Sequence, residues 1–225
     1  LKTLLSWSSG KDSAWSLYIL RQDRRYDVAG LMTTMNRDAG RVAMHAVRSE
    51  LLHMQASAAG LPLHEIPIPS PCTNADYESI MRAFVANVPR EGIECVAFGD
   101  LFLEDIRAYR QQQLAATGLT PLFPLWGRDT RTLAAEMIDG GLRARITCVD
   151  PRQVPASLAG REFDRSLLQD LPAAADPCGE RGEFHTFAYA GPMFAAPIAV
   201  ECGDVVERDG FVFSDLLAAP PLFRF

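Results

Sequence analysis

Leu4-Leu5-Ser6-Trp7-Ser8-Ser9-Gly10-Lys11-Asp12-Ser13-Ala14-Trp15 decides how the rest of the chain is read. Leu4 to Trp7 is an apolar run of strand length, and the segment from Asp12 to Arg21 carries Ala14, Trp15, Tyr18 and Ile19 toward a core as a helix would. Between them lies a turn of small residues. A strand, a tight turn and a helix start place unpaired backbone N–H groups around an anion, and the helix dipole adds attraction. Gly10 permits close approach, Lys11 can neutralise phosphate charge, and Ser13 can donate its hydroxyl. The stretch is not a Walker A loop, because Leu5 stands where G-x-x-x-x-G-K-[ST] requires its first glycine and Asp12 where it requires Ser or Thr. A serine-capped helix with Lys11 in solvent would account for the same residues without a ligand.

The alternation continues outward. Val28-Ala29-Gly30-Leu31-Met32 is strand-like, a helix runs from about Val42 to Ala59 and is ended by Gly60 and Pro62, and Leu63 to Ile68 supplies another strand. Tyr77, Ile80, Met81, Phe84, Val85 and Val88 share one helical face, and Cys95-Val96-Ala97-Phe98 leads straight into Gly99-Asp100. Ile106 to Ala116 reads as helix and Leu119 to Leu125 contains a short strand. Leu133, Ala134, Met137 and Ile138 mark a helix stopped by Gly140-Gly141, and Arg143 to Val149 is one more apolar strand. This pattern predicts an α/β fold of βαβ units, with a mostly parallel sheet and helices on both faces. After about residue 150 it changes. Phe163 to Leu171 reads as a short helix and Asp176 to Glu183 as a polar, glycine-bearing loop. Phe184 to Tyr189, Ala195 to Cys202 and Asp209 to Phe213 read as antiparallel strands beside the sheet.

A formal net charge of -6 argues against a broad grip on nucleic acid, which relies on excess cationic side chains. Lys2 and Lys11 are the only lysines against twenty arginines, so a lysine inside a glycine-bearing loop reads as chemically chosen. Cysteines 72, 95, 148, 178 and 202 form no CxxC pair, and their odd number suits a reducing, cytoplasmic setting. The apolar opening is interrupted before a secretion signal could form, and no run approaches the ~20 apolar residues of a membrane helix, so no membrane partner is expected. A homo-oligomer is left open by the apolar helix faces and by Leu216 to Phe225.

The first loop is similar to the S-G-G-K-D-S pyrophosphate loop of the PP-loop ATP pyrophosphatases. The whole chain resembles the diphthine-ammonia ligase family, the diphthamide-synthase ATP-binding domain family. The resemblance runs through Met44-His45, Gly99-Asp100, Tyr109-Arg110, Pro124-Leu125-Trp126-Gly127-Arg128 and Gly179-Glu180-Arg181-Gly182-Glu183-Phe184-His185-Thr186-Phe187, the last string being the most specific. It departs from the family at Ser9, where the loop ordinarily has glycine. The resemblance implies a sheet of the adenine-nucleotide α-hydrolase type (HUP/PP-loop). Residues 1–150 would form the ATP-binding domain, and residues 151–225 a small α+β substrate-binding and catalytic region packed on it. It also implies ATP and Mg²⁺ as cofactors, and a reaction in which an acceptor carboxylate attacks the ATP α-phosphate. Pyrophosphate leaves, and ammonium then supplies the nitrogen that converts the acyl-adenylate to an amide. The acceptor implied is diphthine on elongation factor 2. Another carboxylate metabolite in a bacterium and a non-catalytic ATP-sensing protein are the alternatives.

Catalytic roles then fall to Lys11, Asp100, Glu180, Glu183 and His185, and nucleotide binding to Ser8, Ser9, Gly10, Lys11, Asp12, Ser13, Gly99, Trp126 and Arg128. Asp12 is the expected magnesium ligand, or else a residue that complements the helix dipole. Asp100, just past a strand, sits where open α/β sheets build their sites, although an N-cap would explain it too. Glu180 and Glu183 could attract ammonium, assist its deprotonation or hold magnesium, or be solvated turn residues. His185 suits proton transfer near neutral pH or a solvent-facing strand position. Trp126 could meet adenine and Arg128 a phosphate or carboxylate, unless the indole is packed and the guanidinium exposed. Tyr77, Tyr109 and Arg110 are further candidates for acceptor or nucleotide recognition, Tyr77 also fitting the core face. Cys178 has no activating partner visible in the sequence apart from His185.

Overall fold

A computed structural model describes residues 1–36, 41–42 and 47–219. The chain begins with β1 (Lys2–Ser6), α1 (Lys11–Gln22), β2 (Asp27–Asn36), the two-residue β3 (Arg41–Val42), α2 (Ser49–Ala59) and β4 (Leu63–Ile68). It continues through α3 (Asn74–Val85), β5 (Cys95–Ala97), α4 (Glu104–Leu114), β6 (Thr120–Leu122) and α5 (Thr130–Asp139). The helix predicted from Val42 starts only at Ser49, since Val42 pairs with Met35 in an antiparallel bridge.

The central sheet is parallel apart from β3. β1 pairs with β2 on one side and β5 on the other, β4 extends the sheet beyond β2, and β6 extends it beyond β5. Successive strand residues point to opposite faces. Leu5, Leu31 and Ala97 join a core with α1, α2 and α5, whereas Leu4, Met32 and Val96 join a second core with α3 and α4. The fold is therefore the α/β sheet with helices on both faces that the strand and helix pattern predicts.

Local chemistry sets several helix ends. Thr73 and Asp76 form a reciprocal capping box at α3, and Asp129 caps α5 by accepting from the Thr132 N–H at 2.8 Å. Gly60 ends α2 in the left-handed conformation at φ 66°. α1 begins at Gly10 with no side-chain cap.

The remaining elements are β7 (Arg143–Val149), α6 (Arg165–Asp170), β8 (Phe184–Ala190), β9 (Val200–Arg208) and β10 (Phe211–Ala218). β7 does not extend the parallel sheet, as its place in the strand–helix alternation had suggested. It pairs antiparallel with β8 and β10 in a separate sheet of order β8-β7-β10-β9. Its buried Ala144, Ile146, Cys148 and Val149 record burial on two faces, and that pattern is the same in either sheet. The first core runs unbroken into this second sheet through Ile146, Phe163, Phe184 and Phe187, so the carboxyl-terminal region packs on the α1 face.

Candidate active site

β1 lies where the sheet reverses direction. The chain leaves β1 for β2 on one side and reaches β5 on the other only after β4 and α3, so the loops after β1 and β5 open a crevice at their carboxyl ends. A cavity of about 260 Å³ occupies it, lined by Ser8, Gly10, Lys11, Asp12, Ser13, Gly99, Asp100, Arg110, Glu180 and His185 among others. A more apolar cavity of about 400 Å³ adjoins it, lined by Met32, Thr33, Ile66, Ile68 and Tyr77 at the ends of β2 and β4 and the start of α3. Most of the predicted site residues thus meet at one place.

The two loops of the crevice touch. A side chain at Gly99 would put its Cβ 3.1 Å from the Asp12 carbonyl carbon and 3.2 Å from the Ser13 nitrogen, so glycine here lets the end of β5 lie against the start of α1. β8 closes the loop from the other side. The Thr186 hydroxyl accepts from the Lys11 N–H at 3.0 Å, and the Ala188 N–H donates to the Ser9 carbonyl at 2.9 Å. Gln55 ties the same carbonyl to α2 and accepts from the Trp7 indole, both at 2.9 Å.

Ser9 is fully buried at φ 67°, a conformation that costs a residue with a Cβ about 1 kcal/mol or more. Its hydroxyl donates to the Ser8 carbonyl, and its side chain does not line the cavity. Its part in the loop is that of a turn residue, while Ser8 and Ser13 reach the cavity.

Lys11 is 2% exposed and donates to both Asp12 oxygens, at 2.8 and 3.0 Å, and to the Cys178 carbonyl. Burial opposes its charge, but Asp12 and Glu180 outweigh it and keep the ammonium protonated. Burial raises the pKa of Asp12, with Lys11 pulling it back. Asp100 is also raised by burial, against the opposing pull of Arg110, and its Oδ2 is buried without a hydrogen bond.

The two glutamates of the 176–183 loop differ. Glu183 is 1% exposed, and its oxygens accept from the Asp176 N–H at 2.8 Å and the Arg181 N–H at 2.9 Å. It staples the loop and is not on the cavity wall, contrary to the catalytic role expected for it, because both oxygens are turned inward to backbone donors. Glu180 is on the wall. One oxygen accepts from the Leu101 N–H at 2.8 Å, and burial, with Asp12 and Asp100 nearby, raises its pKa to about 7.

His185 lines both cavities, but burial and then the Lys11 charge lower its pKa to about 4. At neutral pH it is an uncharged ring and not the proton carrier its type suggests. Trp126 and Arg128 lie off the cavity wall. The indole packs against Phe123 under the Arg107 guanidinium, and Arg128 pairs with Glu136 on α5. Cys178 is buried, its thiol donates to the Thr130 carbonyl at 3.4 Å, and burial pushes its pKa up, so it is no nucleophile. Met44-His45 falls outside the described residues. The sequence reading gave Thr186 no role of its own, although it stands in the 179–187 string, and missed the apolar ends of β2 and β4, whose only signal was their position at strand ends on one side of the parallel sheet.

A nucleotide and its magnesium fit this donor set. α1 has an uncapped N-terminus, and the adjoining apolar cavity suits a base. No group of three or more His, Cys, Asp or Glu side chains poised for a metal occurs among the described residues. Magnesium in phosphate sites takes one or two carboxylates and completes its shell with substrate oxygens and water. Asp100, whose Oδ2 has no hydrogen bond and only the Arg110 ion pair at 3.7 Å, fits that role at least as well as Asp12, whose oxygens both face Lys11.

The fold and this crevice define a nucleotide-binding α/β protein of the adenine-nucleotide α-hydrolase type. The diphthamide synthase N-terminal domain matches residues 1–120 and the diphthamide synthase C-terminal domain residues 129–213. The chain belongs to the diphthamide synthase family. It is 25% identical to a diphthine–ammonia ligase of Bos taurus over 72% of this chain and 67% of that protein. Identity is 26% to one of Danio rerio, over 75% and 72% of the two chains, and 24% to one of Homo sapiens, over 92% and 85%. No helix among the described residues is long and apolar enough to cross a membrane.

Proposed function

We propose that the chain is an ATP-dependent, AMP-forming ligase that joins ammonia to an acceptor carboxylate, with diphthine on elongation factor 2 as the family-implied acceptor. The observation that carries the proposal is Glu180: a carboxyl titrating near 7 stands on the wall of the same cavity as Lys11 and the uncapped start of α1. Amide formation from a carboxylate needs both an activated acyl group and a base for the incoming nitrogen, and this cavity offers means for each.

In the first step an oxygen of the acceptor carboxylate bonds to the α-phosphorus as the bond from that phosphorus to pyrophosphate breaks. Lys11, the amides at the start of α1 and Ser13 stabilise the charge on the departing pyrophosphate. Asp100 or Asp12 would hold magnesium, which would supply charge neutralisation when bound. In the second step the ammonia nitrogen bonds the acyl carbon and AMP leaves. The ammonium that entered gives up two protons, the first to Glu180, which burial makes a stronger base than an ordinary carboxylate, and the second to the phosphate of the departing AMP or to solvent. Glu183 acts by holding the loop that carries Glu180.

The experiment is resolution of nucleotide products from ATP, Mg²⁺ and ammonium, with and without diphthine-bearing elongation factor 2. AMP and pyrophosphate formed only when acceptor and ammonium are both present support the ligase and its acceptor. Folded, ATP-binding protein that turns over with a different carboxylate retains the reaction and removes diphthine; one that turns over with none overturns the ligase reading.

A further inference from the structure

Among the described residues, five line both cavities: Ser6, Ser8, Phe98, Arg110 and His185. His185 is uncharged at neutral pH, so Arg110 is the one charged side chain among the five. It is also incompletely partnered. Its Nε is buried without a hydrogen bond, its distance to Asp100 Oδ2 is 3.7 Å, and its Nη1 reaches the Tyr77 hydroxyl only at 3.5 Å. Arg152 and Arg48, by contrast, hold their carboxylates at 2.8 and 2.5 Å. The Arg110 guanidinium lies over the Phe98 ring at 5.0 Å, with Asp100 beside it. These contacts fix the plane of the fork and leave donor capacity, which is how a protein builds a receptor for an anion.

We propose that Arg110 holds the α-phosphate of the bound nucleotide, the group at which the acceptor attacks. This deepens the ligase reading and rests on the crevice being a nucleotide site. With the nucleoside in the apolar cavity and pyrophosphate against the start of α1, the α-phosphate that joins them must lie where the cavities meet, and among the described residues Arg110 is the cation there. Lys11 lines only the phosphate-side cavity, where Asp12 and the Cys178 carbonyl hold its ammonium in place. Arg110 is then a catalytic residue, because charge grows on the non-bridging α-phosphate oxygens during attack. Asp100 and Phe98 position it.

The test is calorimetric binding of adenosine, AMP and pyrophosphate to the whole protein with Mg²⁺, in wild type, Arg110→Met and Arg110→Lys. The ratio of AMP to adenosine affinity isolates the α-phosphate. Arg110→Met is expected to cut that ratio by about 10- to 100-fold, the loss that follows removal of a charged hydrogen bond. Adenosine and pyrophosphate affinities should stay within about threefold, and Arg110→Lys, which keeps the charge without the fork, should recover part of the ratio. Equal weakening of adenosine and AMP, or an unchanged ratio in a folded Arg110→Met protein, overturns the role of Arg110 and leaves the nucleotide site standing. Wild-type protein that binds neither AMP nor pyrophosphate overturns the nucleotide site together with this role.

Discussion

The two loops that face each other across the crevice use their carboxylates and backbone donors differently. The loop from Ser8 to Ser13 is held from outside, by Thr186, Ala188 and Gln55, and its own helix start is left uncapped. The loop from Asp176 to Glu183 adds ties of its own to those from outside: Glu183 accepts the Asp176 and Arg181 N–H groups, and Asp176 accepts the Glu180 N–H at 2.9 Å, while Leu101 and Asp150 bind the loop to its neighbours. The first arrangement gives α1 no cap from the side chain at its N-cap, Gly10, and spends the Lys11 N–H on Thr186. The second spends one carboxylate on the loop so that another, Glu180, is held at the cavity wall. Acidic residues three apart in one loop therefore have different work, decided by which oxygens the backbone has already taken.

The sharpest way to break this comparison is to exchange the glutamates one at a time. Glu180→Gln is expected to lower acceptor-dependent AMP release by about 10²- to 10⁴-fold, the range for loss of a general base. Wild-type turnover should rise with pH through about 7 and lose that inflection in the variant. The stability consequence has a definite sign. A carboxyl whose folded pKa is raised from 4.5 to about 7 binds its proton more tightly in the fold, so stability falls as pH climbs through that window. Thermal melts of Glu180→Gln from pH 4.5 to 8 should show a flatter profile than wild type, and an equal slope would remove Glu180 as the titrating group.

Lys11→Met tests the outer-held loop. Turnover should drop by about 10²- to 10³-fold and pyrophosphate affinity should fall with it, as for removal of a preorganised charge donor. Unchanged pyrophosphate binding by calorimetry would take Lys11 out of the phosphate site. Glu183→Gln should act mainly on the fold, since one amide end must now face a backbone N–H. The expected loss is about 2–3 kcal/mol by chemical denaturation, with nucleotide affinity reduced only as the loop loosens. A stable Glu183→Gln protein that has lost turnover alone would restore a direct chemical role.

The smallest effect is expected at Ser9. Ser9→Gly relieves the positive-φ cost but gives up the hydrogen bond to the Ser8 carbonyl, so stability should rise by only about 0.5–1 kcal/mol. A fall in melting temperature would mean that the hydroxyl contact outweighs the backbone strain.

Much of this was legible in the chain itself. The strand–turn–helix around Gly10, the strand leading into Gly99-Asp100 and the glycine-bearing loop before Phe184 each announced themselves by local composition, and the crevice gathers all three. Trp126 and Arg128 were misplaced, since a residue after a short strand can face a cavity or, as here, stack under Arg107 and pair with Glu136. His185 was read by its usual pKa, whereas burial beside Lys11 keeps it neutral.

Hydrophobic periodicity, turn residues and the loop string determined the class of fold, the end of the sheet that carries the site and the anion-binding chemistry there, because these depend on neighbours a few positions apart. Tertiary structure alone decided that β7 joins the antiparallel sheet, that Glu180 faces the cavity while Glu183 does not, and that Arg110 stands where two cavities meet. Each of those turns on a partner distant in sequence, as Leu101 is from Glu180, and a residue's own spacing reports how deeply it is buried without naming what it is buried against.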